Sequence, residues 1–72
     1  MYQGHMITIK QKDLPEAMKI ILEHEGDFDK ITRFTSRHKD DNWEITFKLH
    51  PYIYEDFEKV KNEFIKNGIQ VL

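Results

Sequence analysis

The stretch Trp43-Glu44-Ile45-Thr46-Phe47-Lys48-Leu49 alternates apolar and polar side chains without a break. Successive side chains of a β-strand point to opposite faces, so this run reads as a strand with one face on a core. Trp43, Ile45, Phe47 and Leu49 are expected inside, and Glu44, Thr46 and Lys48 on the other face. A sheet with one covered face is the consequence, and the remaining elements must cover it.

Residues 6–10, Met-Ile-Thr-Ile-Lys, alternate in the same way and form a first strand. Asp13-Leu14-Pro15-Glu16 opens a helix: Asp13 caps, Glu16 completes a capping-box pattern, and Pro15 is tolerated in a first turn. Leu14, Ala17, Met18, Ile21 and Leu22 recur at helical spacing, and Gly26 is a natural left-handed stop. A strand over residues 30–37 has ambiguous parity, because Ile31 and Phe34 cannot share a face in a regular strand. Phe34 is expected inside, with an irregularity near Ile31. Lys39-Asp40-Asp41-Asn42 is a turn cluster. After Pro51 a second helix carries Ile53, Phe57, Val60 and Phe64 on one stripe, flanked by Tyr54 and Ile65, and stops at Asn67-Gly68. Residues 69–72 read as a short last strand.

The order is β-α-β-β-α-β. Right-handed crossovers and a central hairpin give an α+β, ferredoxin-like two-layer sandwich, with four antiparallel strands and two helices on one face. Residues 6–72 form one domain. The lead over residues 1–5 is a tag remnant or a disordered tail, since Gln3-Gly4-His5-Met6 looks like the scar of a cleavable tag joined to a cloning site.

The 72 residues contain no cysteine, which removes disulfides, thiolate chemistry and cysteine-rich zinc sites together. A hydrophobic content of 39% is too high for a disordered segment. No apolar run is long enough to span a membrane and no signal-peptide core is present, so a cytoplasmic protein is expected. The net charge of -2 hides an asymmetry. Asp13, Glu16, Glu23 and Glu25 outweigh Lys19 in the first helix, whereas Lys30, Arg33, Arg37, Lys39 and Lys48 outweigh Asp40, Asp41 and Glu44 across the middle strands.

The helix-free face should therefore be basic. Thr8, Lys10, Arg33, Thr35, Arg37, Glu44, Thr46, Lys48 and Gln70 are expected on it. Of these, Lys10, Arg33, Thr35, Arg37, Thr46 and Lys48 are the candidate partner-binding residues. Such a face suits an anionic partner: an acidic protein surface or a single-stranded nucleic acid. Tyr52 and Tyr54 are candidate interface aromatics. A small core and two sheet edges favour self-association, so a protein partner or a homodimer leads, with nucleic acid and a small-ligand regulatory domain between subunits as the alternatives.

Other chemistries find little support. RNA recognition on this topology needs aromatics on the outer face of the central strands, where the third strand offers Glu44 and Thr46. Glu23-His24-Glu25 with Asp27 and Asp29 lacks the spacing of a calcium loop. His24, His38 and His50 fall on different elements, and Ser36, His38 and Asp40 cannot reach triad geometry from neighbouring positions of one strand. No glycine-rich loop cradles a phosphate. A non-enzymatic module without cofactor or metal is expected.

In layout, Asp41-Asn42-Trp43-Glu44-Ile45-Thr46-Phe47, a tyrosine-containing helix and the closing Asn67-Gly68-Ile69-Gln70-Val71-Leu72 resemble the YbeD-like family of small bacterial proteins. The resemblance lies in element order and chain length. It implies an ACT-like fold and a small regulatory domain, and it carries over no site residue. An ACT-type ligand site would also want a glycine-bearing loop after the first strand, where Gln11-Lys12-Asp13 stands. The richness in Lys, Ile, Asn and Asp suits a bacterial or phage origin.

Overall fold

In the computed structural model, residues 5–37 and 43–72 are described, apart from the side chains of Ser36 and Arg37. Three strands, β1 (His5–Lys10), β2 (Phe28–Arg37) and β3 (Trp43–Pro51), form an antiparallel sheet in the order β1-β3-β2. Two helices, α1 (Leu14–Glu23) and α2 (Tyr54–Lys66), complete an α+β fold. The expected turn over residues 39–42, and His38 before it, lie outside the described residues.

The long alternation becomes the central strand. Ile45, Phe47 and Leu49 are buried, and they stand opposite Ile9, Ile7 and His5 of β1. Residues opposite each other share a face. Ile7, Ile9, Ile45, Phe47 and Leu49 form one apolar cluster with Ala17, Ile20 and Ile21 of α1 and Phe57, Val60 and Phe64 of α2. The helices therefore cover the face that carries these residues.

β2 corrects the sequence reading. It begins at Phe28 rather than at residue 30, and its pairing steps from Phe28↔Pro51 directly to Lys30↔His50, which leaves Asp29 as an extra residue. The bulge lets Phe28 and Ile31, three positions apart, face the same side. Phe28 is buried and Ile31 packs on the core opposite Leu49. Phe34, expected inside, stands opposite Thr46 on the open face and is 50% exposed. The irregularity expected near Ile31 lies just before it, and it brings Ile31 in and sends Phe34 out.

The bulge also reassigns the basic residues of β2. Arg33 stands opposite Phe47 and Thr35 opposite Ile45, so both belong to the helix side and not to the open face. Arg33 and Thr35 are exposed nevertheless, because neither helix extends over the outer part of this edge strand. Trp43 points to the helix side as expected, yet it is 45% exposed. A ten-residue helix such as α1 spans about 15 Å, whereas the nine residues of β3 span about 30 Å, so part of that face outruns its cover.

The helix ends also differ from expectation. Asp13 closes a 3-10 turn over Gln11–Asp13 and makes no side-chain cap. In α1 the buried residues are Ala17, Ile20 and Ile21, while Leu22 points outward. Gly26 sits in a second 3-10 turn, Glu25–Asp27, and the left-handed glycine is Gly68, with φ +80°. Ile53 is the residue before α2 and is exposed, so the buried stripe is Phe57, Val60 and Phe64, with Asp56 beside it. At the far end of α2, Ile69 N–H donates to Phe64 O (2.9 Å) and Gly68 N–H to Ile65 O (3.0 Å). This is a Schellman closure, with Ile69 buried as its hydrophobic partner. Residues 69–72, expected as a strand, are not part of the sheet; one backbone bond, Leu72 N–H to Thr8 O at 2.8 Å, ties them to the outer side of β1.

Candidate functional site

The face turned away from the helices is built in rows across the three strands. Met6, Lys48 and Thr32 form one row, and Thr8, Thr46 and Phe34 the next. Lys10 pairs with Glu44 beyond them, and Lys30 with His50 at the opposite end. The hydroxyl oxygens of Thr8 and Thr46 are 2.8 Å apart, a cross-strand hydrogen bond at the centre of the face. Of the candidate binding residues, Lys10, Thr46 and Lys48 stand here together. Arg33 and Thr35 lie on the outer edge of β2, and the side chain of Arg37 lies outside what is described.

Residues that the sequence reading left off this face join it: Lys30, Thr32, Phe34 and, from the edge of β1, Met6, which is 64% exposed. The signal that points to Lys30 and Phe34 is the spacing of Phe28 and Ile31. Two apolar residues three apart at the start of a strand require a bulge, and the bulge fixes the parity of everything after it. The face remains basic after the exchange. Lys10, Lys30 and Lys48 outnumber Glu44 among the residues that strand pairing places on it, with Asp29 at the bulge beside Lys30.

Tyr52 and Tyr54 are both exposed but do not extend this face as a pair. Tyr54 turns to the helix side, where its ring lies 5.0 Å from His5 and 5.9 Å from Phe57. His5, one residue before the expected start of β1, is part of the strand, and its ring lies 4.7 Å from Phe57. The Tyr54 hydroxyl donates to Glu58 Oε1 at 2.6 Å. That hydrogen bond to a carboxylate favours the protonated phenol and raises its pKa above the ordinary tyrosine value. The backbone N–H of Tyr52 reaches Asp27 O at 3.3 Å, which ties the entry of α2 to the turn before β2.

The acidic turn after α1 is tied up locally, with His24 Nδ1 3.2 Å from Asp27 Oδ2. Among the described residues no group of His, Asp and Glu is placed to hold a metal ion, and no helix is long and apolar enough to cross a membrane. No protein-family model and no curated protein matches the chain.

Proposed function

We propose that this chain is a small non-enzymatic binding module of regulatory type, ferredoxin-like in architecture, that acts through protein contacts on the open face of its sheet. The observation that carries the reading is Phe34. An aromatic ring half exposed beside Thr46, in a face with Met6 at its other edge and lysines around it, has the make-up of an interface: an apolar anchor within a charged surround. The strand order β1-β3-β2 and the bond from Leu72 to Thr8 support the four-stranded form, with residues 69–72 as the fourth strand beside β1. The lysines call for an acidic counter-surface. A homodimer is the self-partnered form of the same reading.

Sedimentation equilibrium from about 10 to about 500 μM, paired with amide NMR over the same range, tests it. Self-association through this face moves the amides of Met6, Thr8, Phe34, Thr46 and Lys48, and Phe34→Ser abolishes it. A monomer at every concentration ends the homodimer and leaves a foreign protein as the partner.

A second reading is supported by the same ring. Phe34 with Lys30 and Lys48 on one face is a stacking surface with phosphate-pairing groups around it, which suits sequence-tolerant binding of single-stranded nucleic acid. A mixed short oligonucleotide titrated at about 50 and about 200 mM salt should bind steeply more weakly at the higher salt, through release of counterions. Lack of binding at the lower salt ends this second reading.

A further inference from the structure

The outer edge of β2 is the second unpartnered feature of the sheet. Which of its peptide groups face outward follows from β1. Thr8 O accepts from Leu72 on the side away from β3, so the peptide groups of Thr8 point away from β3. In an antiparallel ladder, opposed residues alternate between exchanging hydrogen bonds with each other and pointing them elsewhere. Thr46, opposite Thr8, therefore turns its groups toward Phe34. Phe34 bonds inward, and the N–H and C=O groups of Ile31, Arg33 and Thr35 point out. Among the described residues nothing pairs with them.

Charge selects what can pair there. From Lys30 to Arg37, β2 carries Lys30, Arg33 and Arg37 and no acidic residue. β2 as a whole sets three basic residues against the single carboxylate of Asp29 at the bulge, so two copies laid edge to edge would on balance repel. Basic residues on an edge are a common defence against self-pairing, and here they leave the edge open to the opposite charge. We propose that this edge binds an extended acidic peptide segment by strand addition. The segment adds a further hydrogen-bonded strand outside β2, with carboxylates alongside Arg33 on the helix side and apolar residues alongside Thr32 and Phe34 on the open face. The inference rests on the reading of the chain as a protein-binding module and names the partner's chemistry.

The probes are short peptides of alternating glutamate and valine, their lysine–valine counterparts, and a mixed single-stranded oligonucleotide, each titrated into labelled full-length protein. The acidic peptide should shift the amides of Ile31, Arg33 and Thr35 most, and should slow their hydrogen exchange by about tenfold or more. The lysine peptide should do neither. Arg33→Glu should weaken the acidic peptide by about tenfold and admit the basic one. Thr35→Pro removes one outward N–H without touching the inner ladder, and should weaken binding with the peptide's charge preference retained. Shifts confined to Thr8, Thr46 and Lys48, with exchange at the edge unchanged, overturn strand addition while the open-face reading stands. Equal binding of both peptides overturns the charge argument. Binding of the oligonucleotide alone overturns the protein-partner reading and this inference together, and binding of no probe overturns this inference alone.

Discussion

Leu49 and Trp43 lie on the same strand and point to the same side of the sheet, six residues apart. Leu49 is sealed, with His5 and Ile31 on either side of it. Trp43 is almost half exposed, opposite Arg37. Pairing with β2 is regular between the two positions, but β1 reaches only to Glu44, so Trp43 has a strand on one side and Leu49 has one on both, beneath a helix layer that covers the Leu49 end. Alternation in sequence reports which way a side chain points. Whether anything lies above it depends on the length and placement of elements far away in the chain.

The largest expected effect tests that contrast directly. Phe47→Ala opens a cavity in the covered part of the face and should cost about 3–5 kcal/mol, against less than about 1 kcal/mol for Trp43→Ala, both read by urea unfolding. If the alanine variant of Phe47 does not fold, Phe47→Leu gives the same ranking at a smaller scale. Equal losses at positions 47 and 43 would break the comparison.

A second pair asks the same of β2. Ile31→Ala should cost about 1–2 kcal/mol, because the side chain packs on the core from a strand edge, whereas Phe34→Thr should stay within about 0.5 kcal/mol. The reverse ranking would mean that the bulge is misplaced and Phe34 is the inward residue. Gly68→Ala should cost about 1 kcal/mol by backbone strain alone, since no atom lies within 4 Å of an added Cβ and φ is +80°. A neutral substitution there would show that the end of α2 relaxes freely.

The smallest effect sharpens the covered end, where Tyr54 sits beside His5 and Phe57. Glu58→Gln should lower the Tyr54 pKa toward the ordinary phenol value, by ultraviolet titration against the signals of the other tyrosines. The folded-state pKa is raised, so whatever stability the hydrogen bond contributes is present below the unfolded pKa and is lost as pH rises through the folded one. An unchanged titration would show that the hydroxyl does not rest on Glu58 in solution.

The order of elements from β1 through α2, the faces of β1 and β3 and the buried stripe of α2 from Phe57 onward were legible in the sequence, because each follows from a local period; the closing strand over residues 69–72 was not, since four residues carry too short a period to fix one. The parity of β2 was not. Residues 30–37 offer Ile31 and Phe34 as rival inward positions, and choosing the larger ring gave the wrong answer. What decides between them is the pairing of Ile31 with Leu49, a contact made only when the hairpin closes, together with a bulge signalled by Phe28 upstream of that window. That error carried Arg33 and Thr35 to the wrong face. The cap at Asp13 failed for a different reason: the chain enters α1 through a 3-10 turn, which uses the same residues in another geometry.

The bulge also makes Asp29 the removable residue of its strand. With Asp29 deleted, Phe28 would step in beside Lys30 and still meet Pro51, so the cross-strand pairs from Pro51 to Trp43 would all be retained in regular register. A deletion within residues 31–36 would instead invert one part of β2 relative to the other. The strand therefore has a single point at which its length can change by one without altering which residues it hides and which it shows. Among relatives of this chain, insertions and deletions in β2 should collect there.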